Sequence, residues 1–464
     1  MKKVTLSALA AVMLSGVAYA DTMTLFSDPK TGQVFTTAGE GRVEMGDFVD
    51  AKTVDMGQRE SESAFSEYKD TMKKYVNVKS HAKTLDFSGT HYFGLSTNTY
   101  GANNQYGNDT STGFEFRRNY LQAKAYFNDK DYFRVTMDTT NELETTSTNG
   151  YANMYVKYAY LYLDKVLPYT GVEIGVAHRP WIDYEEHNSW YYRSINKVIL
   201  EDKFSTSLAS GTNVGVDTMN SADLGVNFQT KTPYFSSELG LFNGEGYHPA
   251  SDQKLNSGLS AEWRLTGHLM GNGEQVGKYK LDKDTYANIS FAGISSKKEK
   301  YDGTASLDTA TSVYDKNLYL FHAVYSQPEF LISAQYDVTK YSYEGANNAS
   351  DKELKTWSVN GEYRPIKDWT VLARYDDLKT EYTNVAGTAG NNVNNTGDAT
   401  QIIYGVSYEY NKNVKFIASG KTVNAKQTTL ATNTQTDAAG ITSGVTVGDL
   451  LDKQSWMLTT EVNW

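Results

Sequence analysis

Residues 356–376 read TWSVNGEYRPIKDWTVLARYD and contain two segments in which apolar and polar side chains alternate. In the first segment, Trp357 and Tyr363 belong to the apolar set, with serine, asparagine and glutamate at the alternate positions. In the second, Trp369 and Tyr375 belong to the apolar set, with threonine, leucine, arginine and aspartate between. Because successive side chains of a strand point to opposite faces, each segment predicts a strand with one apolar, aromatic face and one charged face.

The same alternation recurs from residue 83 onward and predicts sixteen strands. The predicted strands cover residues 83–97, 113–127, 131–141, 153–164, 171–178, 221–230, 234–243, 257–267, 285–296, 315–327, 329–341, 354–365, 367–378, 400–411, 413–424 and 453–464. We assign residues 215–219 to a loop, because a further strand would make the count odd. The link formed by residues 268–284 is long for the side of the sheet on which the other links are short turns.

Two folds satisfy this alternation: a soluble β-sandwich with an apolar core, and a membrane β-barrel whose apolar face contacts lipid. The links between the predicted strands are alternately short and long, and the long ones are polar. Hydrophobic residues make up 39% of the chain, below the roughly 45–50% of globular domains, although tyrosine occurs 35 times. These features predict a transmembrane antiparallel β-barrel with a water-filled interior. An even number of strands places both barrel ends on the periplasmic side.

The first twenty residues predict a secretory signal peptide. Lys2 and Lys3 form the basic n-region, and residues 4–18 include a short apolar run. The sequence AYA at residues 18–20 has the small-x-small pattern of a cleavage site. The apolar run is too short to span a bilayer well. We therefore expect the mature chain to begin near Asp21.

Residues 21–82 differ from the rest of the chain and predict an N-terminal periplasmic extension, which the barrel follows over residues 83–464. A short amphipathic helix is predicted by apolar residues three or four positions apart, namely Phe65, Tyr68, Met72 and Tyr75. A loosely ordered leader is the alternative for this segment.

The chain is acidic, with a formal net charge of −11. Without the two lysines of the signal peptide, 42 basic residues face 55 acidic ones, a net charge of −13. Proteins that bind nucleic acid carry basic stripes, so the acidic charge argues against nucleic acid as a partner, and we expect none. The absence of cysteine excludes disulfides and thiolate metal sites. After the signal peptide no segment has 18 consecutive apolar residues, so no transmembrane helix is expected.

Motifs for catalysis are missing from the sequence: it has no HExxH, no GxSxG and no P-loop. The seven histidines show no ligand spacing. A weak metal or acid–base site is conceivable only at a cluster of two histidines and three carboxylates, namely His178, Asp183, Glu185, Glu186 and His187. More often such a cluster belongs to a solvated loop. We expect no enzyme activity, no metal and no cofactor.

Four stretches of the sequence resemble stretches that occur in the same order in one protein family. The central one is GVEIGVAHRPWIDYEEHNSWYYRSINKVILEDKF, residues 171–204, in which a strand, a basic residue, a proline, an acidic loop, a serine and an arginine follow one another. The others are GFEFRRNYLQAKAYFNDKDYFRV, with the paired Arg117 and Arg118, then SSELGLFNGEGY and VLARYD. On these stretches the segment 83–464 resembles the phosphate-selective porin O and P family.

The resemblance implies a homotrimer of 16-stranded barrels, each with its own pore, and a third loop that folds into the barrel and narrows it. The candidates for that constriction are Arg179, Asp183, Glu185, Glu186, Tyr191, Arg193 and Lys197. The candidates for the pore lining are Arg118, Lys124, Arg134, Asp138, Glu262, Arg264, Glu362, Arg364, Arg374 and Asp376. The mixed charge of this loop and the acidic chain depart from the strongly basic lumen of that family.

We therefore expect a general or weakly selective porin through which small hydrophilic solutes and ions diffuse passively across the bacterial outer membrane. Two other functions stay open. One is a closed barrel with a structural or adhesion role, and the other is an outer-membrane hydrolase that uses a Ser/His pair.

Residues 455–464, SWMLTTEVNW, predict the closing strand of the barrel. Trp456 and Trp464 would face lipid, and Glu461 would face the lumen. Because a barrel has no free edge, this strand must pair with the first strand, near 83–97. A terminal aromatic resembles the signal that outer-membrane proteins present to their assembly machinery. Trp464 is thus the candidate assembly signal, and the barrel assembly machinery and outer-membrane lipid are expected partners.

Overall fold

The structure of the chain, a computed structural model, describes residues 22–31, 34–49, 81–100, 110–139, 154–202, 218–244, 258–271, 283–300, 313–344, 350–384, 393–431 and 446–464, and the single residues 204, 216, 246, 247, 273 and 281. The chain divides into two compact units, Met1–His81 and Ala82–Trp464. The predicted signal peptide and the predicted helix over residues 65–75 lie outside the described residues.

The first unit contains a three-stranded antiparallel sheet. β1 (Thr22–Ser27) is its central strand, with β2 (Val34–Phe35) on one side and β3 (Val43–Val49) on the other. β1 and β3 pair along their length, with a shift in register between Leu25 and Phe26. The sheet lies within the segment that we predict to be a periplasmic extension.

The second unit is a closed antiparallel barrel of sixteen strands. Its strands are β4 (Thr84–Tyr100), β5 (Thr110–Tyr126), β6 (Tyr132–Thr139), β7 (Met154–Leu167), β8 (Thr170–His178), β9 (Ala222–Lys231), β10 (Phe235–Phe242), β11 (Ser260–Met270), β12 (Tyr286–Lys300), β13 (Val313–Gln327), β14 (Phe330–Glu344), β15 (Ser350–Ile366), β16 (Trp369–Asn384), β17 (Val393–Asn411), β18 (Val414–Ala431) and β19 (Thr446–Asn463). Each strand pairs with the next, and β19 pairs with β4, which closes the sheet. The predicted barrel and its sixteen strands are confirmed.

The links on one side of the barrel are tight turns. Ile366 pairs with Trp369 across a two-residue turn, in which Asp368 takes the left-handed conformation with φ of 66°. The link between β11 and β12 is longer, as the sequence indicates. In the segment that we predict to be a loop rather than a strand, the described residues Val216, Thr218 and Met219 form no strand.

The two faces of the sheet differ as the alternation predicts. On β11, Glu262 and Arg264 are 2% and 1% exposed, whereas Leu265 is 38% exposed. On β19, Glu461 is 6% exposed, whereas Trp456 is 56% exposed. Charged side chains therefore point into the barrel, and apolar side chains cover its outer surface.

Several strands extend further toward the long loops than the sequence indicates. β17 begins at Val393 rather than at residue 400, and β18 ends at Ala431 rather than at residue 424. The additional residues are VNNTGDA in β17 and AKQTTLA in β18, which show no regular alternation of apolar and polar residues. Hydrogen bonds between neighbouring backbones need no apolar face, so the strands stay paired beyond the apolar belt.

Two short helices lie between β8 and β9. They are α1 (Ile182–Asn188) and a single 3₁₀ turn (Ile199–Glu201). No helix among the described residues is both long and apolar enough to cross a membrane.

Candidate functional site: the third loop and the cavity beside it

The third long loop comprises residues 179–221, and its described residues, 179–202, 204, 216 and 218–221, fold into the lumen of the barrel, as the resemblance implies. We call it loop 3. The side-chain amide of Asn360 on β15 donates a 3.0 Å hydrogen bond to the carbonyl oxygen of Ser189. The guanidinium of Arg374 on β16 donates one of 2.8 Å to the carbonyl oxygen of Lys197. Since these donors belong to the far side of the barrel from β8, loop 3 crosses the lumen.

Loop 3 packs against one side of the inner wall through an apolar core. The loop contributes Trp181, Ile182, Tyr184, Trp190, Tyr192, Ile195, Val198, Ile199, Leu200, Phe204, Val216 and Met219. Strands β12–β18 contribute inward side chains that we call the apolar wall: Ala292, Ile294, Leu318, Leu320, Tyr341, Leu354, Leu372, Leu378, Ala399, Ile403, Ile417, Val423 and Ala425. Burying one large apolar side chain stabilises a fold by about 1.5–3 kcal/mol, so this contact holds the loop firmly.

A buried ion pair fixes the beginning of loop 3. Nε of Arg179 donates hydrogen bonds of 3.0 and 2.8 Å to the two carboxylate oxygens of Glu262 on β11, and the terminal nitrogen of Arg179 also contacts Glu262. Two residues further along β11, Arg264 donates a 3.1 Å hydrogen bond to the carbonyl oxygen of Pro180. Removing one partner of such a pair would leave a buried, uncompensated charge.

A second ion-pair cluster lies within loop 3. Arg193 contacts Glu186, and one of its nitrogens lies 2.5 Å from a carboxylate oxygen of Glu201. Nζ of Lys197 lies 3.8 Å from the other oxygen of Glu201. Burial alone would raise the pKa of Glu201, but the charges of Arg193 and Lys197 outweigh it and lower that pKa to about 2. Glu201 is therefore ionised at neutral pH, and its ion pairs with Arg193 and Lys197 persist at that pH.

Glu185 on α1 has a different environment. Nε1 of Trp181 donates a 2.7 Å hydrogen bond to its carboxyl group, and only 4% of Glu185 is exposed. Burial raises the pKa of Glu185 to about 7, although the charge of Arg374 and the bond from Trp181 act in the opposite direction. Glu185 therefore changes its protonation near neutral pH.

The end of loop 3 is held by β16 and β17. The side-chain amide of Gln401 donates a 2.8 Å hydrogen bond to Asp202 in the loop and one of 2.9 Å to Asp376 on β16. Nε of Arg374 donates hydrogen bonds of 2.8 and 2.9 Å to Asp376. Arg374 and Asp376 are 2% and 0% exposed. These two candidates for the pore lining therefore lie beneath loop 3 and hold it in place.

Cations lie over tyrosine rings on the inner wall of β5–β7, away from the apolar wall. We call this surface the tyrosine–cation wall. Its cations are Arg118, Lys124, Arg134 and Lys157, and the rings beneath them are Tyr92, Tyr120, Tyr132, Tyr158, Tyr160 and Tyr247. The distance from cation to ring centre runs from 4.2 Å for Arg118 over Tyr120 to 5.7 Å for Arg134 over Tyr160. Such contacts stabilise a cation by about 0.5–2 kcal/mol.

A cavity of about 380 Å³ lies between the tyrosine–cation wall and α1. The residues that line it are Lys124, Tyr132, Arg134, Tyr160, Tyr162, Glu173, His178, Asp183, Tyr184, His187, Asn188, Gln229, Lys231, Glu238 and Arg264. Asp183 on α1 has half of its side chain exposed and lies 3.3 Å from Nδ1 of His187. We call this space the charged cavity.

The structure places the predicted site residues in three groups. The charged cavity is lined by Lys124, Arg134, Asp183 and Arg264. The fold of loop 3 and its attachment involve Arg179, Glu185, Glu186, Tyr191, Arg193, Glu262, Arg374 and Asp376. The other candidates lie elsewhere on the inner wall or in the loop, namely Arg118, Asp138, Lys197, Glu362 and Arg364.

Several residues of the charged cavity are not among the predicted ones. They are Tyr132, Tyr160, Tyr162, Glu173, Lys231 and Glu238. All lie on β6–β10 at positions that point inward, so the alternation that selects Arg134 also indicates them. Within the residues that the structure describes, no group of three or more histidine, aspartate or glutamate side chains could hold a metal ion.

No protein-family model matches the chain, and no curated protein sequence is significantly similar to it. Solved structures share its fold at low identity. A loop L8 deletion mutant of OmpT, an outer membrane protein of Vibrio cholerae, is 14% identical with a TM-score of 0.50, over 82% of this chain and 99% of that one. An anion-selective porin from Comamonas acidovorans is 9% identical with a TM-score of 0.50, over the same shares. The second unit of the chain therefore has the fold of the porins of the bacterial outer membrane.

Proposed function

We propose that the chain is an outer-membrane porin, a water-filled channel through which small hydrophilic solutes and ions diffuse down their gradients. One observation carries this proposal. Loop 3 is fastened to the apolar wall on one side of the lumen, and charges of both signs line a cavity on the other side. Barrels larger than about eight strands leave space inside, so a loop attached to one side narrows the channel without filling it.

The proposed path for solutes runs along the tyrosine–cation wall. Within the predicted constriction, we assign contact with solutes to Asp183 and Lys197, whose side chains are 50% and 46% exposed. On the strands, Lys124 and Arg134 belong to the same path. The buried constriction candidates, such as Arg193, keep loop 3 in its position. In this proposal loop 3 does not move, and its exposed charges, Asp183 and Lys197, contact the solutes that pass.

We further propose the route by which the chain reaches the outer membrane. The signal peptide directs export and is removed near Ala20, and the barrel assembly machinery recognises Trp464. Apolar side chains such as Leu239 and Phe321, which are 51% and 59% exposed on the outer surface, would contact lipid. A homotrimer with one pore in each barrel follows from the family resemblance. The proposal contains no catalytic step and no cofactor.

A closed barrel with a structural or adhesion role is the second candidate. The extent of the apolar core between loop 3 and β12–β18 favours it, because a loop packed in this way does not move aside easily. The two candidates differ in one measurable property, the passage of ions.

Conductance of the purified full-length mature protein in planar lipid bilayers tests the proposal. We expect stepwise increases in current as single trimers insert. Folded trimers that insert without any current step would overturn the porin and support the closed barrel.

Reversal potentials in a salt gradient test the proposed path. Asp183→Asn removes a negative charge from the lumen, so we expect the reversal potential to shift toward anion preference. Asp129→Asn is the matched control, because this carboxylate lies in an exposed turn between β5 and β6. Equal reversal potentials in wild type and Asp183→Asn would remove Asp183 from the path.

A further inference from the structure

The outer surface of the barrel carries exposed tryptophan and tyrosine side chains on β11–β19, where they form two rows. One row lies close to the short turns and includes Tyr363 and Trp369. The other lies nearer the long loops and includes Tyr319, Trp357, Tyr404 and Trp456. Rows of such residues mark the two interfaces between a bilayer and water, because their rings are apolar and their tips are polar. This side of the barrel therefore has the pattern of a surface that contacts lipid.

The outward positions of β4–β10, seven strands whose residues the structure describes in full, carry neither residue type. These strands contain no tryptophan, and their tyrosines lie at inward positions. Leucine, valine, alanine, methionine and phenylalanine predominate outside, and none of them has the polar tip that favours the bilayer interface. Tyr169 and Tyr234 are exposed on this side, but they belong to the short turns. We call the outward positions of β4–β10 the girdle-free face.

The strands of the girdle-free face include the shortest of the barrel. β8, β9 and β10 have 9, 10 and 8 residues, whereas β15, β17 and β18 have 17, 19 and 18. A barrel strand needs about 9–11 residues to cross the hydrocarbon core of a bilayer. The wall at β8–β10 therefore spans little more than that core, whereas the wall at β15–β18 continues past it. Strand length and aromatic composition thus set the same side of the barrel apart.

The girdle-free face combines a furrow of small side chains with projecting rings. Ala123 on β5, Val135 on β6 and Ala159 on β7 are paired in register across three strands and form the furrow. Phe87 on β4 and Phe114 on β5 are 67% and 86% exposed. Inside a bilayer the hydrophobic effect does not drive association, so proteins join where small residues permit close packing. In a ring of three copies, each copy presents one part of its surface to one neighbour and a different part to the other.

The girdle-free face is large enough for contact with another protein. Seven strands about 4.8 Å apart and an apolar band about 25 Å tall give a projected area of roughly 800 Å². A specific interface takes about 800 Å² of accessible surface from each partner. The relief of the side chains adds accessible area to the projected figure. The size of the face therefore matches that of an interface between proteins.

We propose that the girdle-free face joins the copies of this chain in the homotrimer, while β11–β19 face lipid. The partner is a second copy, whose projecting phenylalanines pack beside the furrow of its neighbour. This inference rests on the homotrimer of the proposed function and assigns its contact surface.

Substitution of one small residue on each side of the barrel tests the inference. Ala159→Trp fills the furrow, so the association constant of the trimer should fall by about 10-fold or more. Ala373→Trp is the matched control, because Ala373 is an exposed outward residue of β16, on the side assigned to lipid. It should leave the trimer unchanged. Sedimentation velocity of the full-length mature protein in detergent measures the trimer, and electrophoretic mobility before and after heating shows that the barrels are folded.

Quenching by brominated lipid tests the same assignment without a bulky substitution in the furrow, and it decides if Ala159→Trp does not fold. The chain has no cysteine, so Val135→Cys and Val359→Cys each carry a single fluorescent label. Val359 is an outward residue of β15 and is 41% exposed. In vesicles that contain brominated lipid, the label at residue 359 should lose most of its fluorescence, and the label at residue 135 should keep most of it.

Three results would overturn the inference: equal quenching of the two labels, a trimer of wild-type stability in Ala159→Trp, or dissociation of the trimer by Ala373→Trp. Wild-type protein that consists of single barrels would overturn it as well. Neither measurement uses the channel current. Trimers that carry no current would therefore overturn the porin alone, and current from single barrels would overturn the contact surface alone.

Discussion

Nε1 of Trp464 donates a 2.9 Å hydrogen bond to Nε2 of His91 on β4, and the two rings are stacked with centroids 6.2 Å apart. The other imidazole nitrogen lies 2.5 Å from Oδ1 of Asn119 on β5, so an N–H donor is required there. Backbone hydrogen bonds of 2.9 and 3.1 Å join Gly89 and Trp464 in both directions. Trp464 therefore ties β19 to the first two strands at the seam where the barrel closes.

Gly89→Ala is expected to strain this seam. An added Cβ would lie 2.5 Å from Nε1 of Trp464 and 2.6 Å from Nε2 of His91, so both rings would have to move. We expect the free energy of unfolding to fall by about 1–3 kcal/mol, measured by urea unfolding in lipid vesicles. Gly113→Ala on β5 is the matched control, because an added Cβ there meets no atom within 4 Å. Equal losses in the two variants would contradict the prediction.

Deletion of Trp464 is expected to lower the yield of assembled barrels more than the conductance of the barrels that form. The seam loses its ring contact and its hydrogen bonds, whereas the lumen keeps its lining. Trp464→Phe keeps a ring but not the N–H donor, so it should assemble well and unfold with about 1 kcal/mol less free energy. Folded and unfolded protein in membranes can be separated by electrophoretic mobility before and after heating. Normal assembly of the deletion variant would refute the role of Trp464.

Arg193→Ala is expected to release loop 3. The substitution leaves Glu186 and Glu201 without their main partner in a buried environment, at a cost of about 3–5 kcal/mol. We expect faster hydrogen exchange in loop 3 and a noisier channel current. Lys197→Ala is the comparison, because its half-exposed pair with Glu201 contributes about 1 kcal/mol or less. Unchanged exchange in Arg193→Ala would show that the apolar core alone holds the loop.

Loop 3 is expected to become less stable as the pH rises toward 7. Burial raises the pKa of Glu185 to about 7 in the folded chain from an ordinary value of 4.5, so the folded state holds this proton more tightly than the unfolded state. The stabilisation is complete below pH 4.5 and is lost as the pH rises through 7. Hydrogen exchange in loop 3, corrected for intrinsic rates, should be more protected at pH 5 than at pH 8.

Glu185→Gln is the variant that tests this explanation. Glutamine stays neutral and still accepts the hydrogen bond from Nε1 of Trp181, so the pH dependence of exchange in loop 3 should disappear. A variant that keeps the pH profile of the wild type would assign the effect to another group.

The alternation of side chains predicts the barrel because lipid on one side and water on the other impose a period of two on each strand. It identifies all sixteen strands, including the short β6 and β10. It does not find the ends of long strands such as β17, where the residues show no regular alternation of apolar and polar types. Pairing there depends on the neighbouring strand, β18, which a local pattern does not describe.

The alternation of side chains predicts less of the candidate site in the lumen. The sequence indicates that Arg179 and Glu262 both lie at lumen positions, but not that they form one buried pair. Leu372 and Ile403 point inward and are 2% and 1% exposed, although an inward position in a channel predicts a polar residue. These two side chains pack in one apolar core with loop 3, which lies far away in the sequence. Only the folded chain shows that this loop covers them.

The apolar wall also limits how this channel could be redesigned. Shortening loop 3 looks like a way to widen the passage, but it would uncover a strip of leucine, isoleucine and valine side chains along half of the conduit. A loop-deleted barrel would thus be broader, but its uncovered apolar strip would be free to take up detergent or lipid tails.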